Sequence, residues 1–166
     1  MKTERTFNDA IYTLEKCVKD EIFLKKIQNI SESIIAANAK DKFTAIFGNG
    51  GSAADSQHWA GELVCTYLKK ERKTYKAISL TTDTSIITAW ANDFNYNEIF
   101  KRQIESLGNS LGFCIGLSTS GQSKNVLSGL QRAKEFDART CLIAGENAKE
   151  NSFIDLLLKI PSKNTG

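Results

Sequence analysis

The chain has 166 residues, a formal net charge of +3, 41% apolar and 25% charged residues. That is enough for one domain with a real core but not for two, and the composition is that of an ordinary globular protein. The small net charge gives no reason to expect a nucleic-acid partner, no apolar run is long enough to span a membrane, and the N-terminal MKTERTFND lacks the apolar centre of a signal peptide, so a cytoplasmic protein is expected.

Residues 7–40 contain neither Pro nor Gly, and Ile11, Leu14, Val18, Ile22 and Phe23 recur at helical spacing, as do Ile27, Ile30, Ile34 and Ile35. The expectation is a helical segment over 1–40, broken near Asn29 to Ser31, with Ser31 capping the second piece. An α/β core over 41–166 follows. Its first strand candidate, 43–47, runs into the glycine turn Gly48, Asn49, Gly50, Gly51, and then Ser52, a good N-cap, opens a helix. Glycines let a ligand approach the main chain, and a helix N-terminus presents unpaired N–H groups, so the unit reads as an anion site, most often for phosphate. A βα connection that needs glycine only to turn is the plain alternative.

His58 and Glu62 stand four apart on this helix and share a face. A His and a carboxylate one turn apart can hold a metal or act as an acid–base pair. They lie roughly 9 and 15 Å along the axis from Ser52. Equally, His58 could be an ordinary half-buried helix residue and Glu62 a solvated one. The cluster Lys69, Lys70, Arg72, Lys73 reads as a solvated helix end and loop.

A second strand is expected over 76–80, and a helix over 85–91 capped by Asp83 or Thr82 and stopped by Asn92 and Asp93. Another helix is expected over 96–107, closed by Gly108. The apolar strand 112–117 runs into Ser118, Thr119, Ser120, Gly121, Gln122, Ser123 ahead of a helix over 124–136. Four hydroxyls in six residues exceed what capping needs, and they read as a second anion loop. Strands over 139–143 and 155–160 complete the pattern, and Pro161 ends it. Cys114 and Cys141 read as buried thiols, and the four cysteines contain no C-x-x-C pair, which argues against structural zinc and for a reduced compartment. Alternating strands and helices predict one α/β domain, a parallel sheet of about five strands with helices on both faces, whose ligands bind at the carboxyl ends of strands.

Gly48, Gly50 and Ala53 fit G-x-G-x-x-A, but the acidic residue nearest the end of the second strand is Asp83, at the wrong spacing for a dinucleotide. No G-x-x-x-x-G-K-[ST] occurs. A small phosphorylated ligand fits better.

The stretches GNGGSAADSQHWAGELV, LTTDTS, ANDFNYNEIFKRQIESLG and GLSTSGQSKNVL closely resemble the phosphoheptose isomerases of the sugar isomerase (SIS) fold group. That resemblance implies a flavodoxin-like three-layer sandwich in a single SIS domain over 1–166. It implies conversion of sedoheptulose 7-phosphate to D-glycero-D-manno-heptose 7-phosphate, for lipopolysaccharide or capsule heptose, by a cytoplasmic homotetramer with active sites between subunits, often with zinc. By motif match, Ser118, Thr119, Ser120 and Ser123 would hold the phosphate with Ser52. Asn49, Gly50 and Gly51 would line the sugar, and Asn92 and Asp93 would contact it. His58 would be a metal ligand, and Glu62 a metal ligand, a substrate contact and the acid–base residue. The family pattern continues into a further helix bearing a glutamine and a histidine. The 166 residues end before it, and those groups are expected to lie outside them. The competing readings are non-catalytic: a binding protein of the same fold, of the replication-initiator-associated type, or a sugar-phosphate sensor. Glu62 favours the enzyme over the first, whereas the absence of that further helix from the 166 residues favours the binding protein.

Overall fold

The computed structural model describes residues 2–162. Two helices lead, α1 (Lys2–Lys19) and α2 (Glu21–Ala39). The break between them falls at Asp20, not near Ser31 as the sequence pattern suggested. Asp20 has extended backbone, and its carboxylate accepts from the backbone N–H groups of Ile22 and Phe23 at 2.9 and 3.0 Å, the bonds of an N-cap. Ser31 sits inside α2, where its hydroxyl donates to the Ile27 carbonyl one turn back.

The core follows as β1 (Phe43–Gly48), α3 (Gly51–Val64), β2 (Ala77–Ser79), α4 (Thr84–Asp93), α5 (Ile99–Leu107), β3 (Leu111–Ser118), α6 (Lys124–Glu135), β4 (Arg139–Gly145) and β5 (Leu156–Ile160). Asp83 caps α4, its carboxylate accepting from Ile86 N–H at 3.0 Å. Asn92 and Asp93 are the last residues of α4, and the next helix opens with a 3-10 turn at Tyr96–Glu98. Gly108 closes α5 with φ +48°.

The five strands are all parallel in the order β2-β1-β3-β4-β5. This is the flavodoxin-like order, and the chain reverses direction across the sheet between β1 and β3. Strand side chains alternate between two buried layers. Ala45 and Phe47 of β1 face the layer filled by Phe100 and Ile104 of α5 and Val126 and Leu130 of α6. Ile46 faces the other, with Ile30 and Ile34 of α2 and Ala60 of α3. Phe47 and Phe100 are fully buried, with ring centroids 4.9 Å apart. A sheet covered on both faces explains why its strands read as continuous apolar runs. Cys114 and Cys141 are buried, and desolvation pushes each thiol up to about 12.

Candidate active site

The crevice at the direction reversal is built by the ends of β1 and β3. Gly48 closes β1 so near β3 that an added Cβ would lie 2.8 Å from the Leu117 carbonyl oxygen. Gly50, with φ +57° and ψ −122°, is the residue that turns into α3. Ser52 is therefore not the cap that the sequence suggested. The helix begins at Gly51, two residues earlier than a serine cap needs, and Ser52 lies in the first turn. Across the crevice, Ser123 stands at the N-cap of α6, but its hydroxyl pairs with Ser118 Oγ at 2.9 Å instead of capping. Neither α3 nor α6 has a side-chain cap from its N-cap residue. Two helix N-termini with donors to spare thus meet at one sheet edge, an arrangement suited to an anion.

A cavity of about 230 Å³ opens here, lined by Ser52, Asp55, Ser118 and Thr119 and by the ends of β4 and β5. Ser52, Ser118 and Thr119 are thus brought together. Ser120 is exposed, and its hydroxyl accepts from Gln122 N–H at 3.1 Å to shape the loop. Gly121 turns that loop with φ +66°, packed so closely on Ala148 that an added Cβ would sit 2.5 Å from the Ala148 Cβ. Gly51 opens α3, and Asn49 bonds across the crevice to Asn125.

His58 and Glu62 lie further along α3. Their Nε2 and Oε1 atoms are 3.8 Å apart, with His58 largely exposed. Glu62 Oε2 is shielded from solvent and has no hydrogen-bond partner among the described residues. An orphaned buried acceptor is costly, about 1–3 kcal/mol, so it marks a position where a hydrogen-bond donor is expected. The turn bearing Glu62 is held from outside by a strap the sequence did not reveal. The Arg72 guanidinium donates to the Glu62 carbonyl and, at 2.9 Å, to the Leu63 carbonyl, and Thr74 Oγ1 donates to the Val64 carbonyl at 2.8 Å. These bonds satisfy carbonyls that the end of a helix leaves open.

Zinc takes four ligands, commonly His, Cys, Asp or Glu. Among the described residues no group of three such side chains comes together. His58 and Glu62 are two donors, half of a site, and the described residues do not complete it. Asn92 and Asp93 end α4 with their side chains bonded to one another at 2.8 Å, and among the described residues neither bonds to the cavity lining or to Glu62.

The SIS domain family model matches residues 6–145. A phosphoheptose isomerase of Clostridium acetobutylicum is 40% identical over 163 residues, 98% of this chain and 83% of that protein. One from Helicobacter pylori is 51% identical over 121 residues, 72% of this chain and 62% of that protein, so against this relative the chain spans under two thirds of its length. Among solved structures, the phosphoheptose isomerase GmhA of Neisseria gonorrhoeae superposes with a TM-score of 0.85 at 30% identity, covering 99% of this chain and 86% of that one.

Proposed function

This chain belongs to the SIS-domain phosphoheptose isomerases, and we propose that it interconverts sedoheptulose 7-phosphate and D-glycero-D-manno-heptose 7-phosphate by proton transfer through an enediol. The observation that carries this reading is the pairing of an anion crevice at the β1/β3 reversal with a carboxylate whose shielded oxygen lacks a partner.

The phosphate binds between the N-termini of α3 and α6, with the hydroxyls of Ser52, Ser118, Thr119, Ser120 and Ser123 around it. Asn49, Gly50 and Gly51 line the sugar, and Asn92 and Asp93 contact its hydroxyls. Binding a remote phosphate supplies the energy that orients the reacting end. Glu62 takes a proton from C1 of the ketose, and the electron pair forms the C1–C2 double bond as the C2 carbonyl becomes an enediolate. The same carboxyl returns the proton to C2. The O1 hydroxyl gives up its proton, O2 gains one, and C1 becomes the aldehyde, so atoms and charge balance. Donors near O2 stabilise the enediolate.

Glu62 stands about 15 Å along α3 from Ser52. Eight bonds separate C1 from phosphorus, which at ~1.2 Å of rise per bond gives ~10 Å. With a contact of about 3 Å at each end the extended substrate spans roughly 16 Å, the scale of that separation, so one molecule can bridge the crevice and Glu62, and an active site between copies is inferred from the family resemblance. An exposed apolar stripe on α1, Phe7, Ile11, Leu14 and Val18, supports assembly as well, and we read the protein as a homotetramer. His58 and Glu62 would serve as two ligands of a shared zinc. No described helix is long and apolar enough to cross a membrane, in keeping with action in the cytoplasm on precursors of lipopolysaccharide or capsule heptose.

The test is incubation with sedoheptulose 7-phosphate in D2O. The expected product is the aldose 7-phosphate carrying deuterium at C2, resolved by NMR. Binding without isomerisation or exchange would instead support the non-catalytic reading.

A further inference from the structure

Asn125 lies in the first turn of α6, and its side chain is 3% exposed. It faces Asn49, the only non-glycine residue of the turn between β1 and α3. The two carboxamides pair reciprocally. Asn49 Nδ2 donates to Asn125 Oδ1 at 2.9 Å, and Asn125 Nδ2 donates to Asn49 Oδ1 at 2.8 Å. The orientation of the pair is fixed from both sides. On one side the backbone N–H of Val126 donates to Asn125 Oδ1 at 2.9 Å, so that oxygen cannot be exchanged for the amide nitrogen without setting donor against donor. On the other side the Tyr96 hydroxyl donates to Asn49 Oδ1 at 3.1 Å.

Between the packed end of β1 at Gly48 and the start of α3, Gly50 gives the turn little stiffness of its own, so the position of its tip depends on this side-chain clamp. The clamp crosses the crevice and joins the glycine turn to the start of the helix that follows the serine loop. We propose that Asn125, seconded by Tyr96, is a positioning residue for the reaction, setting the distance between the loop that takes the phosphate and the turn that lines the sugar. This rests on the isomerase reading above. Neither residue need touch the reacting carbons; both act through Asn49.

The consequence is specific. A ligand occupying only the phosphate loop does not sense the spacing between the loops, whereas one spanning both does. The test compares Asn125→Asp and Tyr96→Phe with the wild-type protein. It reads kcat and KM for sedoheptulose 7-phosphate, and calorimetric Kd values for that sugar and for inorganic phosphate. Asn125→Asp keeps the shape and the acceptor for Val126 but sets an oxygen against Asn49 Oδ1. Loss of a buried hydrogen bond in this way should raise KM and Kd for the sugar phosphate about tenfold, with kcat within about threefold and the inorganic phosphate Kd within about twofold.

Tyr96→Phe, at a half-exposed ring that leaves the fold intact, should shift the same values in the same direction by about threefold. It decides the matter should Asn125→Asp fail to fold. Unchanged KM in both variants overturns the proposal. So does equal weakening of both ligands, or a fall in kcat alone that tracks the folded fraction, because each of these is what general loosening produces. A wild-type protein that binds the sugar phosphate without turning it over would refute the isomerase reading, while the ratio of the two Kd values would still decide the role of Asn125.

Discussion

Gly48→Ala probes the contact that brings the two substrate loops together. Gly48 does not adopt positive φ, so alanine is compatible with its backbone and any effect comes from contact. The added Cβ would lie 2.7 Å from Ser52 Cβ and 2.8 Å from the Leu117 carbonyl oxygen. The first distance is roughly 0.8 Å short of a ~3.5 Å carbon–carbon contact. The second partner is backbone in the middle of the sheet and cannot turn aside. Overpacking of this kind costs about 1–3 kcal/mol, and the stiffer unfolded chain returns about 0.4–1 kcal/mol. The net loss of about 1–2 kcal/mol lowers Tm by about 2–8 °C in a chain of this size. Leu117 immediately precedes Ser118, so the displacement passes into the serine loop. Misplacing binding groups by this much should lower kcat/KM for sedoheptulose 7-phosphate about 10–100-fold. Thermal unfolding by circular dichroism and steady-state kinetics read the two effects. Gly61→Ala is the control on the same helix. Nothing lies within 4 Å of its added Cβ, and stability should rise by about 0.5–1 kcal/mol. A Gly48→Ala protein with wild-type Tm and wild-type kinetics would refute the close approach of β1 to β3 as the basis of the crevice.

Other outcomes follow from the packing and the charges. Phe100→Ala removes a ring packed at a tilt against Phe47 in the core and should cost about 3–5 kcal/mol, read by urea unfolding; a loss below about 1 kcal/mol would contradict that packing. Desolvation pushes the Asp155 carboxyl up, but the hydrogen bonds from Lys134 and from the Thr140 N–H and hydroxyl, with the Lys134 charge, outweigh it and leave it below the ordinary carboxylate range. A depressed folded value stabilises above the unfolded pKa and is lost as pH falls through the folded one. Asp155→Asn should therefore lower Tm at pH 7 and flatten the drop in Tm on acidification below about pH 4; a drop as steep as in the wild type would contradict this. A thiol reagent at pH 8 should modify exposed Cys65 within minutes and leave Cys114 and Cys141 untouched until denaturant is added, as read by intact mass. Rapid labelling of Cys114 would contradict the sealed sheet.

Much of this architecture is written locally in the chain. The alternation of apolar runs with helical periods, the cap at Asp83 and the stop at Gly108 all depend on near neighbours, and they are legible. The position of the break in the N-terminal helices is not legible locally, because Ser31 and Asp20 are both good caps. Only packing decides between them, and α2 keeps Ile30, Ser33 and Ile34 buried on one continuous face that a break at Ser31 would split. Ser52 yielded the cap position to Gly50 for a similar reason, since the close approach of β1 to β3 sets where the turn begins. At the candidate site, the glycine turn and the serine loop announce themselves by composition. Asn125, Tyr96 and Arg72 do not. Their roles rest on bonds to residues 76, 47 and 10 positions away, and an asparagine in a first helical turn looks like any other until its partner is seen.

The assignment of the proton shuttle is tested most directly by Glu62→Gln, which keeps the shape of the side chain and removes its basicity. With sedoheptulose 7-phosphate in D2O, the variant should bind the sugar phosphate with a Kd close to that of the wild type while isomerisation, and deuterium entry at C1 and C2, fall by about 10²–10⁴-fold. Turnover and exchange at wild-type rates in Glu62→Gln would contradict it.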